Sequence, residues 1–126
     1  MTDESNPVLN EVDGAIARLT LNRPEKRNAL NEAVIASLKN YLRETNDNPA
    51  VRVVVISGAG QDFCSGADLA ALQKISEASV AENLEDARSL MELFVLMRQV
   101  GVPIIAAVRG KALAGGCGLA SACDLI

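Results

Sequence analysis

Histidine and tryptophan are absent from this 126-residue sequence, and its only aromatic residues are one tyrosine and two phenylalanines. Without histidine, Ser-His-Asp and Cys-His nucleophilic schemes and histidine-built metal sites have no place in this stretch. Few rings are available for bases to stack on, and no basic cluster offsets a net charge of −4, so nucleic acid is not an expected partner. The three cysteines, Cys64, Cys117 and Cys123, are odd in number and lack C-x-x-C spacing. That argues against a disulfide framework and a zinc site, and they are expected to be small, buried packing residues. No metal and no redox cofactor are expected. No apolar run approaches the roughly eighteen residues of a membrane span, and the polar start MTDESNPVLN holds no apolar leader. The expectation is a cytoplasmic protein without a membrane partner.

What is present describes one globular domain or part of one, 49% apolar and 22% charged. Residues 1–7 read as a flexible start and 8–126 as folded. Val8–Val12 and Ala15–Leu21 flank Asp13-Gly14, a strong hairpin signal. After the polar loop Asn22–Arg27, the spacing of Leu30, Ala33, Val34, Leu38, Tyr41 and Leu42 predicts a helix running to about Glu44, capped by Asn28 or Asn31. VRVVVIS at 51–57 suits a strand buried on both faces of a sheet. Leu69–Leu72 resumes a helical pattern that Asp68 could cap. A long amphipathic helix follows between Val80 and Val100, its apolar face marked by Leu84, Ala87, Leu90, Met91, Phe94 and Met97. Gly101-Val102-Pro103 stops it before a strand at Ile104–Val108, and strand, helix and strand in that order imply a parallel crossover. The closing Asp124-Leu125-Ile126 looks like the start of a further strand rather than a natural terminus. The fold class is α/β.

Two loops, CSGAD at 64–68 and AGGCG at 114–118, share one logic. Each places glycine after a strand and before a predicted helix, where backbone N–H groups lack helical partners and sit at the positive end of the dipole. Two such donors converging on one point would make an oxyanion hole, each donor worth about 2.7–4 kcal/mol in the transition state. Taken alone, either loop could equally be a tight turn or a close helix–strand approach. SGAG at 57–60 lacks both the Gly-Lys-Ser/Thr ending of a phosphate loop and the G-x-G-x-x-G spacing of a dinucleotide site.

Together, LNRPEKRNALN (21–31), VVVISGAGQDFCSGADL (53–69) and PIIAAVRGKALAGGCGLASACDL (103–125) resemble the enoyl-CoA hydratase/isomerase, or crotonase, superfamily. The resemblance implies a spiral of ββα units, an acyl-CoA thioester as substrate with no separate cofactor, and trimers or dimers of trimers. It assigns the oxyanion-hole donors to the N–H groups of Ala67 and Gly115. It places Lys26, Arg27, Ala29 and Leu30 at the coenzyme A contact, where the two cations could meet phosphates, and Ala67, Asp68, Leu69 and Ala70 along the same site. Stabilising a thioester enolate would then be the shared step, with separate acids and bases selecting the reaction.

One departure bears on the chemistry. Family hydratases with two glutamates carry the first where this chain has Gly118, and the second would fall beyond Ile126. The resemblance therefore implies the N-terminal part of such an enzyme, about half its length, with helices that cover the site and build the trimer still to come. The reaction is then hydration, a one-acid isomerisation or another reaction of the superfamily; the rival from a different class is a catalytically silent acyl-CoA-binding module. Asp62, Glu82, Glu85 and Asp86 are alternative bases. Asp68 reads better as a helix cap and Asp124 as a buried structural carboxylate. Ser65 and Cys64 have no histidine to activate them and are rejected as nucleophiles.

Overall fold

The computed structural model describes residues 6–66 and 69–126. A hairpin opens the chain: β1 (Val8–Asp13) and β2 (Ile16–Leu21) pair antiparallel, with Val8 opposite Leu21 and Asp13 opposite Ile16. Its two turn residues are Gly14 and Ala15, one position later than Asp13-Gly14. Only the first has positive φ (59°), as a type II′ hairpin turn requires. Asn6 and Pro7 are already tied down, for the Asn22 amide side chain donates to Asn6 O and its N–H to Pro7 O.

Asn31, not Asn28, caps α1 (Glu32–Asn46): its Oδ1 accepts from the Val34 N–H at 2.9 Å. Val34, Leu38 and Leu42 then fall on one buried stripe. The chain returns through β3 (Val53–Gly58), which pairs parallel with β2 in the register Ile16 to Val53. Helices α2 (Leu69–Glu77) and α3 (Val80–Gln99) lead to β4 (Ile104–Ala107), parallel to β3 with Val54 opposite Ile104. The sheet order is β1-β2-β3-β4, and a short helix α4 (Gly115–Ser121) follows. Beyond it Leu125 bridges Ile105 in parallel, so the apolar ending does begin to pair with β4.

Two expectations about burial change. In β3 only Val54 and Ile56 are fully covered, whereas Val53 and Val55 are half-buried. Among the described residues the core lies on one face of the sheet, where Leu19, Val54, Ile56 and Ile104 meet Leu38, Leu42, Leu93 and Met97. In α3 the buried positions are Leu93 and Met97, with Leu90, Phe94 and Leu96 packed at their flank, while Leu84 and Met91 are 62% and 58% exposed. The helix turns its C-terminal half to the core, and its apolar residues lie on more than one face.

Candidate functional site

Three crossover loops gather at the C-terminal ends of β2, β3 and β4, and backbone hydrogen bonds lace them together. In the first, a 3₁₀ turn at Pro24–Lys26 is followed by two successive residues in the left-handed region, Arg27 (φ 52°) and Asn28 (φ 56°). Asparagine tolerates that conformation better than most residues. Asn28 is 1% exposed, and its side chain has full employment: Oδ1 accepts from the Arg23 N–H at 2.9 Å, and Nδ2 donates to Ala59 O and Asp62 O, both at 2.8 Å. Gly58 leaves room for this amide, since a Cβ there would lie 2.7 Å from Nδ2.

The same loop then runs beside the CSGAD loop. The Ser65 N–H donates to Arg27 O at 3.0 Å, and the Leu30 N–H donates to Gly66 O at 2.6 Å. The CSGAD loop pairs in turn with the segment after β4: Cys64 bridges Ala112, the Cys64 N–H reaches Lys111 O, and the Leu113 N–H returns to Cys64 O, each at 3.0 Å. Asp62 clamps this junction, with Oδ1 accepting from the Lys111 N–H at 2.9 Å. That contact explains Asp62 as a loop anchor rather than a base.

At the centre is a turn from Leu113 to Gly116, closed by the Gly116 N–H donating to Leu113 O at 2.7 Å. Ala114 holds φ 49° and ψ −117°, the first central position of a type II′ turn, which glycine ordinarily fills. This flips the Ala114–Gly115 peptide, and among the described residues no acceptor meets the Gly115 N–H. Gly66 (φ 92°) packs directly on the turn: a Cβ there would lie 3.0 Å from Leu113 O and 3.4 Å from Gly115 N. Gly116 lies so close to the Cys64 carbonyl that no side chain would fit. Leu30 closes the group, its Cδ1 3.2 Å from where a Cβ on Gly115 would stand.

The structure thus brings Leu30, Gly66 and Gly115 to one place. Ala67, the second expected donor, and Asp68, the expected cap, lie outside the described residues; Leu69 and Ala70 open α2. Lys26 and Arg27 are exposed beside the loop junction, while Ala29 and Leu30 are buried at 1% and 6% exposure. Gly118 lies one turn beyond Gly115 on α4, facing Phe94.

Leu30 also lines a cavity of about 790 Å³ between the start of α1, α2 and α3, with Arg23, Ile35, Lys74, Glu85 and Asp86 among its walls. Lys74 and Glu32 form an exposed 2.6 Å ion pair at this cavity, which raises the lysine's pKa and lowers the carboxylate's. A smaller cavity of about 370 Å³, lined by Gln73, Lys74, Glu77, Ala78 and Glu82, touches none of the loop residues.

The remaining candidates divide. Burial pushes the Cys64 thiol up, and that of Cys123 up to about 12, so neither is a nucleophile at neutral pH. Cys117 is exposed, against the expectation that all three cysteines are buried. Asp124 accepts from the Ile104 N–H at 2.8 Å, a structural role as expected, but it is exposed rather than buried because it sits at the outer side of β4. Asn28 is the organising residue that reading for caps missed. Two of its three partners lie more than thirty residues away, out of reach of any local pattern.

Among the described residues no helix is long and apolar enough to cross a membrane. The family model described as enoyl-CoA hydratase/isomerase matches residues 11–126. A Thermus thermophilus protein is 44% identical over 113 residues, covering 90% of this chain and 45% of its own length. The crotonyl-CoA hydratase of Syntrophomonas wolfei is 38% identical over 118 residues, covering 93% of this chain and 44% of its own. Among solved structures, an enoyl-CoA hydratase of Polaromonas sp. JS666 superposes with a TM-score of 0.89 at 34% identity, over 94% of this chain and 46% of that one. The chain spans about half the length of the curated relatives it matches. With a matching family model over nearly all its residues and a crotonase fold, this chain belongs to the enoyl-CoA hydratase/isomerase family.

Proposed function

We propose that this chain forms the thioester-binding half of an acyl-CoA enzyme that stabilises an enolate-like charge with backbone donors, the Gly115 N–H and that of Ala67. The observation that carries this reading is the contact of Gly66 with the Leu113–Gly116 turn. Glycines of two loops meet there, and among the described residues no acceptor meets the Gly115 N–H. Placing a preorganised N–H where negative charge develops lowers the barrier without any reorganisation at the moment of reaction. Lys26 and Arg27 lie exposed on the neighbouring loop, within the stretch whose backbone is bonded to Ser65, and would meet the phosphates of coenzyme A. The only cofactor-like group in this reading is the substrate's own coenzyme A. The whole protein would assemble as a trimer or a pair of trimers, which sedimentation of the full protein tests.

Gly118 favours a reaction that does not draw its acid from that position, such as a one-acid double-bond shift, over hydration by paired glutamates. Among the described residues, Glu32, Glu85 and Asp86 are the carboxylates in the wall of the larger cavity, and of these Glu85 and Asp86 would be candidates for such a role.

The test reads the carbonyl itself. Butyryl-CoA labelled with ¹³C at the thioester carbon is bound to the protein and its C=O stretch recorded by difference infrared spectroscopy. Polarisation by N–H donors lowers the stretching frequency on binding, and Gly66→Ala, which pushes a methyl against Leu113 O, diminishes that shift. A bound thioester with an unshifted carbonyl overturns the oxyanion reading, and absence of binding overturns the acyl-CoA reading.

A further inference from the structure

The turn that presents the Gly115 N–H is built on a residue that its shape disfavours. Ala114 holds φ 49° and ψ −117°, whereas an L-residue with positive φ is at ease only at ψ of about +30 to +60°. The Cβ makes this conformation costly, and it rests on the CSGAD loop: a Cβ on Gly66 would lie 3.1 Å from it. A half-turn of the Ala114–Gly115 peptide plane is enough to relieve the strain. It carries ψ of Ala114 to about +60°, inside the left-handed region, and converts the type II′ turn into type I′. The second central residue must then take positive φ, which glycine at 115 does without steric penalty. The closing bond, from the Gly116 N–H to Leu113 O at 2.7 Å, belongs to both turns. Leu113 and Ala114 are exposed, so the rotation takes place at the surface.

One contact opposes the rotation. The carbonyl of the same peptide, Ala114 O, accepts from the Gly118 N–H at 3.0 Å, a bond that opens α4. Because C=O and N–H of a trans peptide point opposite ways, this bond aims the Gly115 N–H away from the helix. The strain at Ala114 and the net worth of one such hydrogen bond are of the same order. The two orientations are therefore close in energy, and only one of them presents the donor.

Resting on the enolate-stabilising reading above, we propose that Ala114 is a positioning residue: it keeps the Ala114–Gly115 peptide near balance between two orientations, so that the Gly115 donor is held in place only when a thioester oxygen accepts from it. The oxygen adds a second hydrogen bond to the strained orientation and none to the relaxed one. Apparent affinity for a thioester is then lowered by the fraction of molecules that already present the donor. Free CoA has no thioester carbonyl and is indifferent to the balance. Glycine at 114 would remove the strain and leave the Gly118 bond to hold the donor outward.

Two measurements test this. By calorimetry, free CoA and butyryl-CoA are titrated into the wild-type protein, Ala114→Gly and Ala114→Ser. Ala114→Gly is expected to tighten butyryl-CoA by about threefold relative to free CoA, whereas Ala114→Ser, which keeps the Cβ and its strain, does not. The infrared shift of the bound carbonyl is expected to be the same in wild type and Ala114→Gly at saturation, because the occupied turn is the same. An equal change for both ligands, or none, overturns the assignment while leaving the acyl-CoA reading intact. Failure of both ligands to bind the wild type, or a bound carbonyl without a shift, removes the reading and the assignment with it. The second measurement needs no ligand. In amide hydrogen exchange, Ala114→Gly is expected to slow the Gly118 amide, which bonds Ala114 O, relative to the Ala122 amide, which bonds Gly118 O in the same helix. An unchanged ratio of the two rates means that the peptide does not rotate and overturns the proposal.

Discussion

Asn28 and Ala114 both sit in the left-handed half of backbone space, and both set the position of a loop. Asn28 holds three polar backbone groups from two loops in a buried place, where an unpaired group is costly. Asn28→Asp keeps the shape but turns two donors into acceptors that face carbonyl oxygens. It should destabilise the protein by about 3 kcal/mol, read from the midpoint of urea unfolding. Ala114 carries a Cβ in a conformation that costs an L-residue about 1–2 kcal/mol. Ala114→Gly should therefore raise stability by about 1 kcal/mol in the same assay. The glycines of both loops were legible in sequence as places needing bare backbone. The neighbour each glycine avoids, such as the Cys64 carbonyl at Gly116, was not, because that neighbour is some fifty residues distant.

At the scale of elements, α1 was nearly complete in the sequence: an asparagine cap, an apolar stripe at Val34, Leu38 and Leu42, and a polar turn after it. Helix α2 meets α1 through the Lys74–Glu32 pair. Because Lys74 lowers the Glu32 pKa, its stabilisation is complete above the ordinary carboxylate pKa and is lost as pH falls through the lowered folded value. At the other end, the raised Lys74 pKa means that the pair is lost only as pH rises through that value. Glu32→Gln should thus melt slightly below wild type at neutral pH, and the gap should close in acid and at high salt. Thermal melts across that range check it. Helix α3 was harder to read. Its apolar residues occupy more than one face, so periodicity named Leu84 and Met91 as inward when only the packing of Leu93 and Met97 against the core decides which side is covered.

Over the whole molecule, that choice leaves Val80, Leu84, Met91 and Val95 along one exposed side of α3, the first of them 77% exposed. A contiguous apolar surface of this kind promotes association. The 126-residue chain should show concentration-dependent self-association in sedimentation, and the double substitution Leu84→Gln with Met91→Gln should reduce it while changing stability by no more than about 0.5 kcal/mol. The sequence by itself determined the order of strands and helices, the hairpin, an asparagine cap for α1 without saying which of two asparagines, the family, and the two segments where backbone must stand bare. These are local matters of periodicity, turn chemistry and missing side chains, each settled within a few residues. Only the tertiary structure decided that Gly66 meets Gly115, that Asn28 bolts two loops together, and that Phe94 stands over Gly118. Such contacts join residues twenty to fifty positions apart, and they exist because a parallel sheet brings the ends of β2, β3 and β4 to one edge, where their loops must share the same space.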